Sequence, residues 1–294
     1  MTKESPLGRG KQSAKDFFKD LGFVLVAFFF LNSFVLASFE VPTGSMENEI
    51  MAGDFLFVNK FLYGGSTPRT IPLTNIRIPW FRIPGFREVE HGDVIVFEFP
   101  GYRDEVRSQE FMFYLKRAIG LAGDTVQIVN RVVYLNGKPA PIPRNMQFIS
   151  KFGEQPGVPH QGIFPKGAPF NEANWGPMRV PKQGDMITLT PQTLQQWETF
   201  IKREGHSVSI GEGGKVLLNG AVATSYTVER DYMFGMGDNR DNSLDSRFWG
   251  FIPSENIIGT PMIVYWSWDP NIPITSIFQK LDTIRFGRIG TIIR

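Results

Sequence analysis

The sequence predicts a mostly β protein carried on one N-terminal membrane-spanning helix, and three observations lead there. Among 294 residues there are 30 glycines, 21 prolines and 27 phenylalanines, a composition rich in turn formers and strand-favouring rings. Short apolar runs such as Gly92–Phe99 and Ile257–Trp266 sit between turn signals at strand length, and Asn136-Gly137 and Asn219-Gly220 are hairpin turns. The one long apolar run, Leu21–Phe39, is broken only by Gly22, Asn32, Ser33 and Ser38. About 20 such residues cross a hydrocarbon core of about 30 Å.

Composition narrows the chemistry. The net charge of +2 provides no basic field for nucleic acid. Hydrophobic residues make up 42% and charged residues 20%, as in folded proteins. With no cysteine there is no disulfide, thiol nucleophile or Cys-ligated metal. His91, His160 and His206 are scattered, with no HxxxH or HExxH spacing, so neither a metal nor a cofactor is expected.

Taken in order, residues 1–20 are polar, with Lys3, Arg9, Lys11, Lys15 and Lys19 against Glu4, Asp16 and Asp20. This basic excess before the span (21–39) predicts a cytoplasmic N-terminus and an extracytoplasmic remainder. A cleaved signal sequence is the rival reading, but Phe39-Glu40-Val41 is a poor small-residue cleavage site. Val41-Pro42-Thr43-Gly44-Ser45-Met46 follows directly, so Ser45 would sit just outside a bilayer.

Gly53–Lys60 reads as a turn and strand, and 64–91, rich in Pro, Gly and Arg, as an extended loop that either skims a membrane or merely connects. Strands are expected at Gly92–Phe99, Tyr114–Ile119, Thr125–Tyr134, Gly184–Leu189 and Ile257–Trp266. Pro191–Glu204 is the one soluble helix, with Leu194, Trp197, Phe200 and Ile201 at helical spacing. Met233–Ser243 is a strand running into a polar turn. The tail from Ile277 to Arg294 mixes Ile and Phe with Lys and Arg, which suits either an anionic membrane surface or packing on the sheet.

A serine hydroxyl needs a base. No histidine stands in a marked context, and Gly-x-Ser-x-Gly is absent. Lys116, in Phe113-Tyr114-Leu115-Lys116-Arg117-Ala118-Ile119-Gly120, lies among apolar and aromatic residues on an expected strand. Burial would lower its pKa, and a fall from ~10.4 to ~8 would cost about 3 kcal/mol of stability. Strand alternation sends Lys116 and Arg117 to opposite faces, so one can be buried while the other is solvated. A surface lysine beside an arginine remains the alternative at this point. The turn Gly237–Arg247 holds Asp238, Arg240, Asp241, Asp245 and Arg247 beside aromatic residues, which predicts an ion-paired knot. Its spacing does not meet the EF-hand pattern.

Four stretches, in this order, together resemble the bacterial type I signal peptidases: Pro42–Lys60, Gly92–Phe97, Tyr114–Asp124 and Gly237–Pro253. Gly-Asp-Asn-Arg-Asp-Asn-Ser followed by Asp-Ser-Arg is highly specific, and Lys-Arg-Ala-Ile-Gly-Leu-Ala-Gly-Asp nearly so. The resemblance implies a signal-peptidase-like β core (40–124 and 233–294) with an inserted second β domain (125–232). It implies a membrane-bound serine endopeptidase that removes signal peptides from exported preproteins. On it, Ser45 is the nucleophile, Lys116 the general base, and the Ser45 N–H with the Thr43 hydroxyl the oxyanion hole. Ser243 would hydrogen-bond and orient the lysine, Asp245 and Arg247 would form a supporting ion pair, and Asp238, Asn239 and Asn242 would brace the knot. Phe39, Val41, Met46, Ile50, Leu56, Val96, Tyr114 and Leu115 would wall shallow pockets for small residues before the cut. The implied partners are preprotein signal peptides and the lipid bilayer, with the catalytic part on the periplasmic side of the inner membrane. No nucleic acid is expected, and nothing in the sequence fixes an oligomeric state.

The chain departs from the family just after the serine. One residue beyond Ser-Met the family usually has Pro-Thr, whereas here stand Asn48 and Glu49, and Glu47 adds a further charge. Local turn geometry, and Ile50 as a pocket residue, depend on what those residues do. Two rivals compete: self-cleaving repressors, which share a Ser–Lys dyad but carry a DNA-binding domain and no anchor, and an anchored non-enzymatic β protein that binds an extracytoplasmic partner.

Overall fold

In a computed structural model, residues 6–71, 74, 76–151 and 156–294 are described, the side chains of 6–13 excepted. Lys3 and Glu4 lie outside the described residues, as do the side chains of Arg9 and Lys11 and parts of the 64–91 and 139–183 loops. Helix α1 spans Pro6–Phe30 and continues as a π-helical turn, Leu31–Val35. Ala14–Val35 is long and apolar enough to cross a bilayer. The helix ends four residues short of the expected Phe39. Leu36–Glu40 forms strand β1 instead, pairing antiparallel with β2, Asp54–Asn59. Apolar content alone cannot tell a spanning helix from the buried strand that continues it.

The next strands are β3 (Val94–Glu98) and β4 (Phe113–Gly120). Then come β5 (Thr125–Val129), β6 (Val132–Leu135), β7 (Lys138–Pro139), β8 (Trp175–Arg179) and β9 (Met186–Thr188). The stretch 125–134, expected as one strand, is a hairpin. Asn130 and Arg131 turn it at φ 47° and 72°, and their N–H groups are taken up by Asn174 and Ala173. Positive φ at both central residues is the type I′ pattern, which Asn favours and Arg does not announce.

Helix α2, Pro191–Arg203, starts at a Thr190 capping box with Pro191 in its first turn, and buries Leu194, Phe200 and Ile201. Strands β10 (Val208–Ile210), β11 (Val216–Leu218), β12 (Ala221–Val222) and β13 (Ser225–Thr227) follow, with the β11–β12 hairpin turning at Asn219-Gly220. The chain then forms β14 (Tyr232–Met236), the short helix α3 (Ser246–Trp249), β15 (Ile252–Pro253), β16 (Ile257–Ser267) and α4 (Ile277–Asp282).

A seven-stranded sheet runs β1-β2-β16-β3-β4-β14-β15, and segment 125–232 contributes smaller sheets of four, three and two strands. The Phe39 and Phe113 rings meet at 5.1 Å, so the large sheet curls until its β1 edge approaches β4. One side of the curl is filled by Met46, Ile50, Leu56, Val58, Val94, Val96 and Val264. The tail is split: Ile293 joins this core and Ile292 bridges Ile263, whereas Phe278 and Phe286 are exposed. In the 64–91 loop, Ser66 pairs with Arg82 and Thr70 with Arg77, and Ile76, Phe81 and Phe86 stay exposed.

Candidate active site

Ser45 lies on a turn between β1 and β2. The Glu47 N–H donates to Gly44 O, and the Glu49 and Ile50 N–H groups to Met46 O. Met46 and Ile50 are driven into the core below, which fixes the turn from underneath. From β4, Lys116 reaches up so that its Nζ lies 2.6 Å from Ser45 Oγ. Both are buried, Ser45 at 8% and Lys116 at 3% exposure. The aromatic stack of Tyr114 on Phe99, closed by Trp249, lies on the same strand region, with Lys116 Nζ 5.7 Å from the Tyr114 ring centroid.

Burial lowers the Lys116 pKa to about 8; Asp245 and Asp238 oppose the fall and Arg247 assists it. The lysine is therefore held near the point where its neutral, proton-accepting form is abundant. The three histidines are engaged elsewhere, with Asp124, Glu229 and Glu172.

Arg117 does not face water, contrary to strand alternation with one solvated side. It is 5% exposed and grips Asp238 through two bonds of 2.8 and 2.5 Å. The β4 strand is covered on both faces, and the second face needs this pair. The neighbouring pair Asp245–Arg247 is also buried and two-pronged, at 2.8 Å each. Burial alone would raise the Asp245 carboxyl. The Arg247 guanidinium and the Gly237 N–H reverse that and hold it below the ordinary carboxylate range. Asp245 also caps α3 through the Arg247 N–H.

Asn239 joins knot to nucleophile. Its N–H donates to Ser45 O at 3.1 Å and its side-chain amide to Gly44 O at 3.0 Å and Glu47 Oε2 at 3.2 Å. Gly237 permits this closeness, since a Cβ there would stand 2.4 Å from Ser45 O and 2.2 Å from Ser243 Oγ. The expected Ser243–Lys116 hydrogen bond is not formed: Ser243 Oγ is buried beside the site but has no partner among the described residues. Asn242 is exposed and lines the groove, and its N–H donates to Asn239 O.

A groove of about 410 Å³ opens over the dyad. Of the expected wall residues, Phe39, Val41, Met46, Leu56, Val96, Tyr114 and Leu115 line it. Ile50 does not: it is 0% exposed and packed in the core beneath. Glu40, Pro42, Met112, Phe113 and Leu244 also line the groove; Pro42 and Leu244 fall within the resembling stretches, but nothing in the sequence marks any of the five as a wall residue. Thr43 is exposed on its rim, and the Ser45 N–H makes no hydrogen bond among the described residues. Strand β14 pairs with β4 only from Arg117 to Gly120, so the groove side of Phe113–Lys116 is an open edge. No cluster among the described residues could hold a metal ion.

A buried serine on a curled β framework, with an amine rather than an imidazole against its hydroxyl, belongs to the serine peptidases. Comparison with known proteins carries this further. The model of the family "Signal peptidase, peptidase S26" matches residues 14–266. Signal peptidase I of Pseudomonas aeruginosa is 30% identical over 284 residues, which cover 92% of this chain and 78% of that one. Signal peptidase I of Buchnera aphidicola is 30% identical over 96% of this chain and 83% of its own length, and that of Rickettsia typhi 29% over 95% and 93%. The chain belongs to the signal peptidase S26 family and is a serine peptidase.

Proposed function

We propose that this protein is a membrane-anchored endopeptidase that removes N-terminal signal peptides from exported preproteins, with Ser45 as nucleophile and Lys116 as general base. The observation that carries this reading is the 2.6 Å approach of Lys116 Nζ to Ser45 Oγ in a buried setting. An extended substrate pairs with the open edge of Phe113–Lys116, and its carbonyl is presented to Ser45. The neutral Lys116 amine accepts the hydroxyl proton as Oγ bonds to the carbonyl carbon. The Ser45 N–H and the Thr43 hydroxyl stabilise the oxyanion; losing one such donor costs about 10²–10³ in rate. The Lys116 ammonium then gives its proton to the leaving amine, and the same lysine activates the water that releases the acyl group. The groove, walled by Phe39, Leu56, Val96 and Leu115, has room for small residues on the acyl side of the cut.

The apolar stretch of α1 anchors the chain in the inner membrane, and the basic residues that precede that stretch keep the N-terminus cytoplasmic and the catalytic sheet periplasmic. The test is preprotein cleavage in detergent or vesicles by the wild type, Ser45→Ala and Lys116→Ala. Both variants are expected to lose at least about 10³ in rate. Cleavage by either at near the wild-type rate removes the dyad.

A further inference from the structure

Asn48 and Glu49, just past Ser45, tie segment 125–232 to the nucleophile. Asn48 sits at φ 81°, in the left-handed region, with its side-chain amide donating to Gln147 Oε1 at 2.8 Å. Glu49, only 6% exposed, accepts from the Asn145 side-chain amide and, at 2.8 Å, from the Arg294 N–H. Gln147 in turn docks its backbone on the polar knot: its N–H donates to Asp238 O at 2.9 Å, and its carbonyl accepts from the Arg240 N–H at 3.0 Å. That places Gln147 alongside Asn239 as a parallel bridge. Asn239 holds the carbonyl of Ser45 on its other side. Three backbone segments thus lie in layers, the serine turn, Asp238–Arg240 and Asn145–Gln147, and Gln147 is the residue bonded to both of the others.

We infer that Gln147 is a positioning residue for the reaction: it acts through Asn48 and Asn239 to set the direction of Ser45 Oγ toward Lys116 and the scissile carbonyl. This rests on Ser45 being the nucleophile. Asn48 holds a left-handed conformation that its own backbone does not favour, and the turn takes its rigidity from a side chain 99 residues away. Nucleophile placement is steep in rate, since a misplacement of about 1 Å can cost about 10². Segment 125–232 is then part of the working site, although no described residue of it lines the groove.

The experiment measures kcat and KM for preprotein cleavage in vesicles by full-length wild type, Gln147→Ala, Asn48→Gly and the double variant. Gln147→Ala should lower kcat about tenfold with KM unchanged and with the pH midpoint of the rate unmoved, because the lysine is untouched. Glycine at position 48 adopts the left-handed turn without an anchor, so adding Gln147→Ala to Asn48→Gly should cost less than about twofold. A merely structural bond would lower Tm and leave kcat of the folded enzyme at the wild-type value; that result, or full additivity in the double variant, overturns the inference. Ser45→Ala in the same assay keeps the two ideas apart: its retained activity would sink the nucleophile assignment, whereas an unaltered Gln147→Ala beside an inactive Ser45→Ala sinks only the positioning role.

Discussion

Lys116 and Lys60 are both buried and both held at a pKa of about 8, yet what surrounds them differs. They are 3% and 9% exposed, and burial is the largest cause of each fall, the charges of Arg69 and Arg82 being part of that of Lys60. The Lys60 ammonium donates to Asn32 O at 3.2 Å and Ser66 O at 3.4 Å. Lys116 has a serine hydroxyl at 2.6 Å and an open groove above it. The difference teaches that a depressed pKa does not make a base. Carbonyl acceptors favour the charged form and leave no proton to take, so Lys60 is a clamp; a hydroxyl against a substrate groove gives the neutral amine a task.

The comparison breaks first on activity. Lys116→Met should lose at least about 10³ in preprotein cleavage, whereas Lys60→Met should stay within about threefold when folded protein is compared; a larger loss for Lys60→Met would give that lysine a part in the reaction. It sharpens next on stability. The unfolded chain binds the Lys116 proton up to the ordinary lysine value of 10.5, while the folded protein releases it above about 8. The folded state is therefore penalised below pH 8, and stability rises as pH climbs from about 8 to about 10.5, by up to about 3 kcal/mol. Lys116→Met should remove the Lys116 share of the rise in denaturant titrations, leaving the share that Lys60 contributes over the same window, and make the mutant more stable than wild type near neutrality. A wild-type-like pH dependence in Lys116→Met would show that the lysine is not buried as described.

The finest distinction is in the pH profile of kcat/KM, which should climb through a midpoint near 8 as Lys116 loses its proton. Lys60→Met should leave that midpoint in place, and a displacement by a full pH unit would mean that Lys60 and its arginines act on the site through space.

Much of this was legible in the sequence because it depends on local chemistry. The Asn-Gly hairpins, the Thr190-capped helix and strand β16 follow from turn residues and periodicity. Ser45, Lys116 and the Asp245–Arg247 pair could be named because their motifs are short and contiguous. What the sequence hid was long-range. Arg117 looks like a solvated neighbour of Lys116 until Asp238, 121 residues away, takes it into the interior. Gln147 sits in a loop without a signature and gains meaning only beside Asn239. The helix end was misplaced because Leu36–Phe39 is apolar for a different reason: it lines the sheet and the groove, not the bilayer.

The way β1 grows out of the helix has a consequence for how the enzyme searches. Nine residues, Leu36–Gly44, lie between the span and Ser45. As a loose tether they would let the site wander by about 17 Å, from roughly 5–6 Å times the square root of the length. Here there is no tether: the Lys60 N–H holds Val35 O at 2.9 Å, and the backbone of Gly65 lies so close to Phe34 that a Cβ would stand 2.2 Å from its carbonyl oxygen. In a bilayer that holds α1, the serine hangs at one altitude, like a blade on a fixed bracket. On the function proposed above, a bond presented one helical turn too high or too low, about 5.4 Å, would not meet Ser45.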